Sequence, residues 1–445
     1  MCALVAALAS GAGAVPAGAV DPPQITDTQP PDASVGPEVP MKQDKMCLAA
    51  GVLPNSDLSQ APPTESALNL AAARALSRGA GVTVAVLDTG VFPNPRLPNL
   101  LGGGDFVLTG GDGLSDCDAH GTLVAGIIGA TIDPVDGFAG VAPDARLISI
   151  RYRSGAFTAE QPAQHDQVQQ LGIEIRTLAR AITHAANLGA GVILVSLPIC
   201  VPAGLAVDQS MLASAVGYAV HVRGSLIVAG AGNTGSTGCE QNPDHDPDRP
   251  LDPRNWRGVK TIATPAWYTP DVLTVGFTTA AGVPMPDSLT GPWVSVAAPG
   301  TGIESLGPGG GGLINGVGAP DKLVPAAGAS FAAAYVSGVA ALLRSRFPNE
   351  TPGEIIARMQ ASAHAPARGL DNAVGAGVID PLAALSFRSP PRLPSKSSRP
   401  VALDMPAAAR DADRRPAFIA AAVVASAVVL GVGIGPLGTM LRRRR

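Results

Sequence analysis

The chain predicts an α/β fold, a mostly parallel central sheet with helices packed on both of its faces. Short apolar runs of strand length recur along it, as expected of strands buried on both sides. Longer stretches with helical spacing lie between them, and strands alternating with helices build a parallel sheet. One segment stands apart from this pattern. Pro416 to Leu441 carries no charge, and about 20 apolar residues suffice to cross a bilayer as a helix.

The elements follow in order. Ala3–Val20 is rich in Ala, Gly and Val, with small residues at Ala17 and Ala19, so residues 1–20 read as a secretory signal with its cleavage site. The basic start of such a signal is missing, and an Ala-rich tail fits the same composition. Residues 21–66 form an N-terminal extension. Its first part, Asp21–Pro40, is rich in Pro and Asp and is expected to be extended or disordered. Its second part, from Met41 to Ser66, reads either as a pro-segment or as an arm that wraps the domain.

The main domain is expected over 67–387. Leu68–Leu76 has a helical pattern. Strands are expected at Val82–Leu87, Leu147–Ile150, Val192–Leu197, Leu226–Val228, Val272–Val275 and Trp293–Val296. Helices are expected at Gly121–Ile128, Gln167–Ala186, Gln209–Val222, Ser330–Arg344 and Pro352–Ser362. Asn233–Val259 is a long Pro/Asp/Gly-rich loop. Its Asp244, Asp246 and Asp248 read as solvated acids, because the spacing and terminal Glu of a calcium loop are absent. Gly307–Gly312 reads as a flexible surface loop near the substrate side. Residues 388–415 are a Pro-rich linker, 416–441 a transmembrane helix, and 442–445 a basic tail. Four arginines there favour a cytoplasmic C-terminus, which places the large domain outside the cytoplasm.

Composition agrees with that compartment. The 445 residues carry a net charge of −4, so nothing points to nucleic acid. Cys2 would leave with a signal peptide, and Cys47, Cys117, Cys200 and Cys239 remain. An even number outside the cytoplasm suggests two disulfides, with three possible pairings. No Cys-x-x-Cys pair is present, so no zinc site is expected, and the reading requires no metal or cofactor.

Three distant segments carry the chemistry. They are Val84–Gly90 around Asp88, His120–Gly126, and Gly328–Ala333 around Ser330. A serine hydroxyl is a poor nucleophile at neutral pH and needs a base within hydrogen-bond reach. Histidine accepts that proton and returns it to the leaving amine. A buried carboxylate fixes the imidazole tautomer. Ser330 is therefore the expected nucleophile, His120 the general base and acid, and Asp88 the orienting acid. Asn233, after the strand-like run Ser225–Val228, is the expected oxyanion donor together with the Ser330 backbone N–H.

The Asp, His, Ser order resembles that of the subtilase family, over roughly Ala67 to Leu385. A narrower resemblance is to the mycosins, the membrane-anchored subtilases of type VII secretion systems. Asp116–Gly126, Asp252–Trp256, Thr264–Tyr268, Ser330–Gly338 and the C-terminal hydrophobic segment carry it. Two positions depart from the family pattern: Ala329 stands where Thr is usual, and Ala334 where Pro is usual. The resemblance implies a subtilisin-like fold and a serine endopeptidase. It implies protein substrates exported by the type VII system, cut in a limited way, and association with the membrane secretion complex. It also implies pairing of Cys47 with Cys117 and Cys200 with Cys239, and an N-terminal arm that is retained. A different role fits the same features: a structural subunit of the secretion complex whose proteolysis is dispensable.

Overall fold

The computed structural model describes residues 20–25, 32–161, 166–235, 239–246, 248, 251–367, 369–387 and 415–441, with side chains in the last segment only to 430. The expected signal peptide (but for Val20), the linker up to 414 and the tail at 442–445 lie outside the described residues. The chain divides into two compact units, Met1–Leu393 and Pro394–Arg445.

In chain order the strands are β1 (Met41–Gln43), β2 (Ala49–Gly51), β3 (Thr83–Asp88), β4 (Leu100–Asp105), β5 (Arg146–Arg151), β6 (Phe157–Ala159), β7 (Val192–Val195) and β8 (Ile199–Pro202). They continue as β9 (Leu226–Gly230), β10 (Thr261–Thr264), β11 (Val272–Thr278), β12 (Val296–Pro299), β13 (Ser305–Leu306), β14 (Leu313–Ile314), β15 (Gly316–Ala319) and β16 (Lys322–Pro325). The helices are α1 (Pro63–Ala67), α2 (Leu70–Leu76), α3 (His120–Gly129), α4 (Gln167–Asn187), α5 (Ser210–Gly217), α6 (Ala329–Arg346), α7 (Pro352–Ser362), α8 (Pro381–Ser386) and α9 (Arg415–Leu441).

Seven strands form one sheet in the order β12-β11-β9-β7-β3-β5-β4, and every pairing in it is parallel. Side-chain parity divides the core between its two faces. Val84, Val86, Leu147, Val192, Leu194 and Val228 point to the face covered by α3 and α6. Ala85, Leu87, Ile148, Ile193, Val195 and Ile227 point to the face covered by α4 and α5. Alternate residues on a strand face opposite sides, so a strand apolar at every position must be covered twice. That is the physical content of the unbroken apolar runs.

Helix α4 opens with a capping box. Asp166 accepts from the Gln169 N–H at 2.9 Å, and Gln169 Oε1 accepts from the Asp166 N–H at 3.0 Å. Helix α7 repeats the device with Thr351 and Glu354, and begins at Pro352. Helix α6 is different, with every residue from Ala329 to Leu343 buried. Its small, apolar surface suits a helix surrounded by protein rather than one with a wet face. Ala334 at the usual proline position leaves this helix continuous.

Several expectations shift. The strand expected at Trp293–Val296 is Val296–Pro299, because pairing with β11 begins at Val275 and Val296. Trp293 instead buries its ring against Trp256, 5.7 Å between centroids. The first helix breaks at Asn69, a left-handed residue with φ 49°, so it starts at Leu70. The segment Gln209–Val222 is an α-helix that ends in a π turn over Tyr218–Val222. Gly307–Gly312 is the connection of the β13–β14 hairpin, and Gly311 accepts a hydrogen bond from Asn94.

The described part of Asp21–Pro40 is extended and fastened: Gly36 N–H donates to Asp105 O at 2.9 Å, and Arg176 pairs with Glu38. Further along, β1 pairs with β6 and β2 with β15, so residues 41–51 are woven into the domain surface. In the second unit, α9 runs over Arg415–Leu441. Among the described residues no helix is both long and apolar enough to cross a membrane.

Candidate active site

Asp88 closes β3 at its carboxyl end, where open parallel sheets gather their reactive groups. Its side chain is fully buried, and a buried carboxylate needs hydrogen-bond partners. Three groups supply them. The Thr89 N–H donates to Oδ1 at 2.6 Å, the Ser196 hydroxyl donates to Oδ2, and His120 Nδ1 lies 2.8 Å from Oδ1 and 3.0 Å from Oδ2. Across the ring, His120 Nε2 sits 2.8 Å from Ser330 Oγ. An N–H on Nδ1 facing the carboxylate leaves the Nε2 lone pair facing the hydroxyl, the tautomer that proton removal requires. The three expected residues thus lie on one hydrogen-bonded line.

Local structure explains the placement. His120 is the first residue of α3 and Ser330 the second of α6, so both helices aim their amino ends at the sheet's carboxyl edge. Ala119, before His120, takes a left-handed conformation at φ 61°, a backbone strain often met at functional sites. A Cβ at Gly121 would collide with the Gly90 carbonyl and touch Asp88 Oδ1, so only glycine lets α3 approach β3 this closely. Asn233 follows β9, and its Oδ1 accepts the Ala329 N–H at 2.9 Å. The side chain therefore sits at the amino end of α6, one residue from Ser330.

Sequence reasoning missed Asp116. Its Oδ1 accepts from the Thr89 hydroxyl at 2.9 Å and the Asp118 N–H at 3.1 Å. Its Oδ2 accepts from the Thr122 N–H at 2.9 Å and hydroxyl at 2.6 Å. Thr89 Oγ1 in turn accepts from Gly121 N–H at 3.0 Å. Asp116 thus ties the loop before His120 to the turn after Asp88. Asp118 orients the same loop from the other side, accepting from the Ser154 hydroxyl and, at 2.8 Å, the Gly155 N–H.

Charge tuning follows from this arrangement. Burial pushes the His120 imidazole down, but the facing Asp88 carboxylate outweighs it, with help from Asp116 and Asp118, and holds the pKa above the ordinary histidine value. Burial pushes the Asp116 carboxyl up to about 6; the Asp88 charge adds to this, against hydrogen bonds from Thr122 and Thr89.

The line opens into a cleft of about 620 Å³. Its lining includes Ser196–Cys200, Gly232, Asn233 and Cys239, and also Leu48, Val317, Val324–Ala327 and Phe331. Both disulfides border the site. Cys200 and Cys239 themselves line the cleft, and Cys47–Cys117 fastens the N-terminal arm to the loop of His120. Asp244 and Asp246 spend a carboxylate oxygen each on neighbouring backbone, taking the N–H of His245 and of Asp248.

Residues 79–377 match the model of the subtilase family. The chain belongs to the subtilase family, in its mycosin branch. Mycosin-1 of Mycolicibacterium smegmatis is 47% identical over 436 residues, covering 97% of this chain and 96% of the relative. Among solved structures, that of MycP1, a serine protease described as an essential component of the type VII (ESX-1) secretion system, superposes with a TM-score of 0.80. It is 49% identical and covers 83% of this chain and 100% of its own. A chain in the structure of an intact ESX-5 inner membrane complex also reaches 0.80, at 45% identity, covering 94% and 100%. This subtilase is a serine protease with a subtilisin-like α/β fold, and its disulfides pair as mycosin resemblance implied.

Proposed function

We propose that this subtilase is a membrane-anchored endopeptidase in which Ser330, His120 and Asp88 act as a triad. The hydrogen-bonded line from Asp88 through His120 to Ser330 carries the reading. Ser330 Oγ attacks a peptide carbonyl while His120 Nε2 takes its proton. The Asn233 amide and the Ser330 N–H hold the oxyanion. His120 then protonates the leaving amine, and water releases the acyl-enzyme.

Residues 21–66 act as a retained arm, 67–387 as the catalytic domain and 388–415 as a linker. The uncharged stretch 416–441 spans the cell membrane, leaving 442–445 in the cytoplasm and the protease on the envelope side. Residues 1–20 are the signal that exports it. The match to a chain of the ESX-5 inner membrane complex supports association with a type VII secretion complex. Limited cleavage of exported proteins is the proposed activity there. The same match favours a second reading, in which the chain chiefly braces the complex and its proteolysis is dispensable.

A fluorophosphonate probe tests the triad. Full-length protein should label, and Ser330→Ala should not. Labelling that survives in Ser330→Ala would remove Ser330 from the nucleophile's place. Scoring assembly of the secretion complex in the same variant separates the two readings. Assembly intact with cleavage lost supports the bracing role, and failure of both in folded, membrane-located protein contradicts it.

A further inference from the structure

The N-terminal arm does more than hold the surface. We propose that Leu48 is a specificity-determining residue, forming with Val317 and Val324 an apolar wall that selects the residues just after the scissile bond. The proposal rests on the triad reading above.

Leu48 is 47% exposed, although its backbone is pinned on both sides. Cys47, just before it, is bonded to Cys117, and the Leu48 N–H donates to the Cys117 carbonyl at 2.8 Å. From Ala49 onward the chain is paired with β15. The backbone therefore has little freedom, and the side chain lines the cleft. Val317 and Val324 are directly opposite one another in the β15–β16 pair, and both line the same cleft. Val324 is 49% exposed on β16, the outer strand of its small sheet. Single exposed apolar side chains are ordinary, but three that line one cleft form an apolar surface of the kind that marks a binding site, and in a protease cleft the substrate covers it.

The position assigns the side. The acyl half of a substrate stays on Ser330, and the leaving half departs past the general acid, His120. Leu48 is held on Cys117, three residues before His120 in the same loop. Phe331, next to the nucleophile, lies tilted against the His120 ring, 5.0 Å between centroids, and lines the cleft with Leu48. Val324 and Pro325 belong to the chain that runs directly into Ser330. Elsewhere in the lining, Leu197 and Pro198 follow central strand β7 and Gly232 follows central strand β9, while Ile199 and Cys200 open β8. The leaving half of the substrate is therefore expected against the arm, in contact with a residue that the catalytic domain does not itself contain.

The test is a cleavage profile. Full-length protein in detergent is given a random peptide library, and the cut sites are read by mass spectrometry. Wild type should favour Leu, Met, Phe or Val within the first three residues after the cut. Leu48→Asp and Val324→Asp should each reduce that enrichment about tenfold, the scale of small apolar-pocket differences, and Leu48→Met should restore it. Both positions are half-exposed, and an intact Cys47–Cys117 bond verifies that the arm stays docked. An unchanged leaving-side profile in both Asp variants overturns the proposal, as does a change confined to the acyl side. Ser330→Ala run alongside keeps the readings apart: cutting that persists in it refutes the triad, while the Leu48 comparison is still read from the same profiles.

Discussion

At the scale of single residues, the proposed triad sets its base among three carboxylates, Asp88, Asp116 and Asp118. In that mechanism His120 works as a base only when neutral, and its pKa is held above the ordinary value near 6.5. The acid limb of kcat/KM should therefore lie above pH 6.5, with activity rising as pH climbs through it. Asp116→Asn removes one negative charge from the imidazole's surroundings, so the limb should move to lower pH; a limb that stays put would separate Asp116 from the titration. The same linkage gives folding stability that is complete below about 6.5 and lost as pH rises through the raised value. Asn233 accepts the Ala329 N–H and is proposed to donate to the oxyanion, and a substitution can divide the two. Asn233→Asp keeps an acceptor for the Ala329 N–H but has no amide donor for the oxyanion. Turnover should fall about 100- to 1000-fold while the thermal transition changes little. That Asp88, His120, Ser330 and Asn233 would meet was legible in the sequence, because each sits in a local motif of particular residue types. Asp116 was not, because its role as a hub exists only once Thr89 and Thr122 are brought to it by the fold.

At the scale of elements, legibility followed apolar continuity. Strands β3, β5, β7, β9 and β11 were found because their apolar runs are nearly unbroken, and helix α4 because its apolar residues recur at helical spacing. Strand β4 was missed because its sequence is Leu100-Leu101-Gly102-Gly103-Gly104-Asp105, which carries no strand propensity. Its glycines serve packing instead: a Cβ at Gly103 would strike Ile148 on β5. The short antiparallel pairs were equally hidden, since strands of two to four residues leave no periodic signal. The tightest junction is that of α3 with the turn after β3. Gly121→Ala forces a methyl into the Gly90 carbonyl, and overpacking of this kind costs about 1–3 kcal/mol. Because His120 would be displaced with the helix, activity should fall further than stability, about 100-fold for a shift near 1 Å. Comparing kcat/KM with the unfolding midpoint reads both.

At the scale of the whole molecule, two kinds of fastening operate. Cys200–Cys239 closes a loop of sequence separation 39, and in the chain-entropy account such a link contributes about 4 kcal/mol. Replacing both cysteines by serine should lower the urea unfolding free energy by that order. Cys47–Cys117 holds an arm rather than the core. Its removal should first expose residues 41–51 to added protease, with the sheet still folded. The proposed membrane attachment belongs to this scale too. A chain ended at residue 413 should leave the membrane fraction, and its persistence there would refute the anchor.

Helix α6 carries one more consequence. Fifteen consecutive buried residues, from Ala329 to Leu343, include Ser330, so this side chain cannot shift without disturbing the centre of the protein. Backbone amides along Ala332–Leu342 should exchange with deuterium only as fast as the entire domain opens. A helix packed this way leaves little room for a resting state in which Ser330 is moved aside. Restraint of cutting would then act through which peptides are presented to the cleft, and for how long, rather than through displacement of this helix.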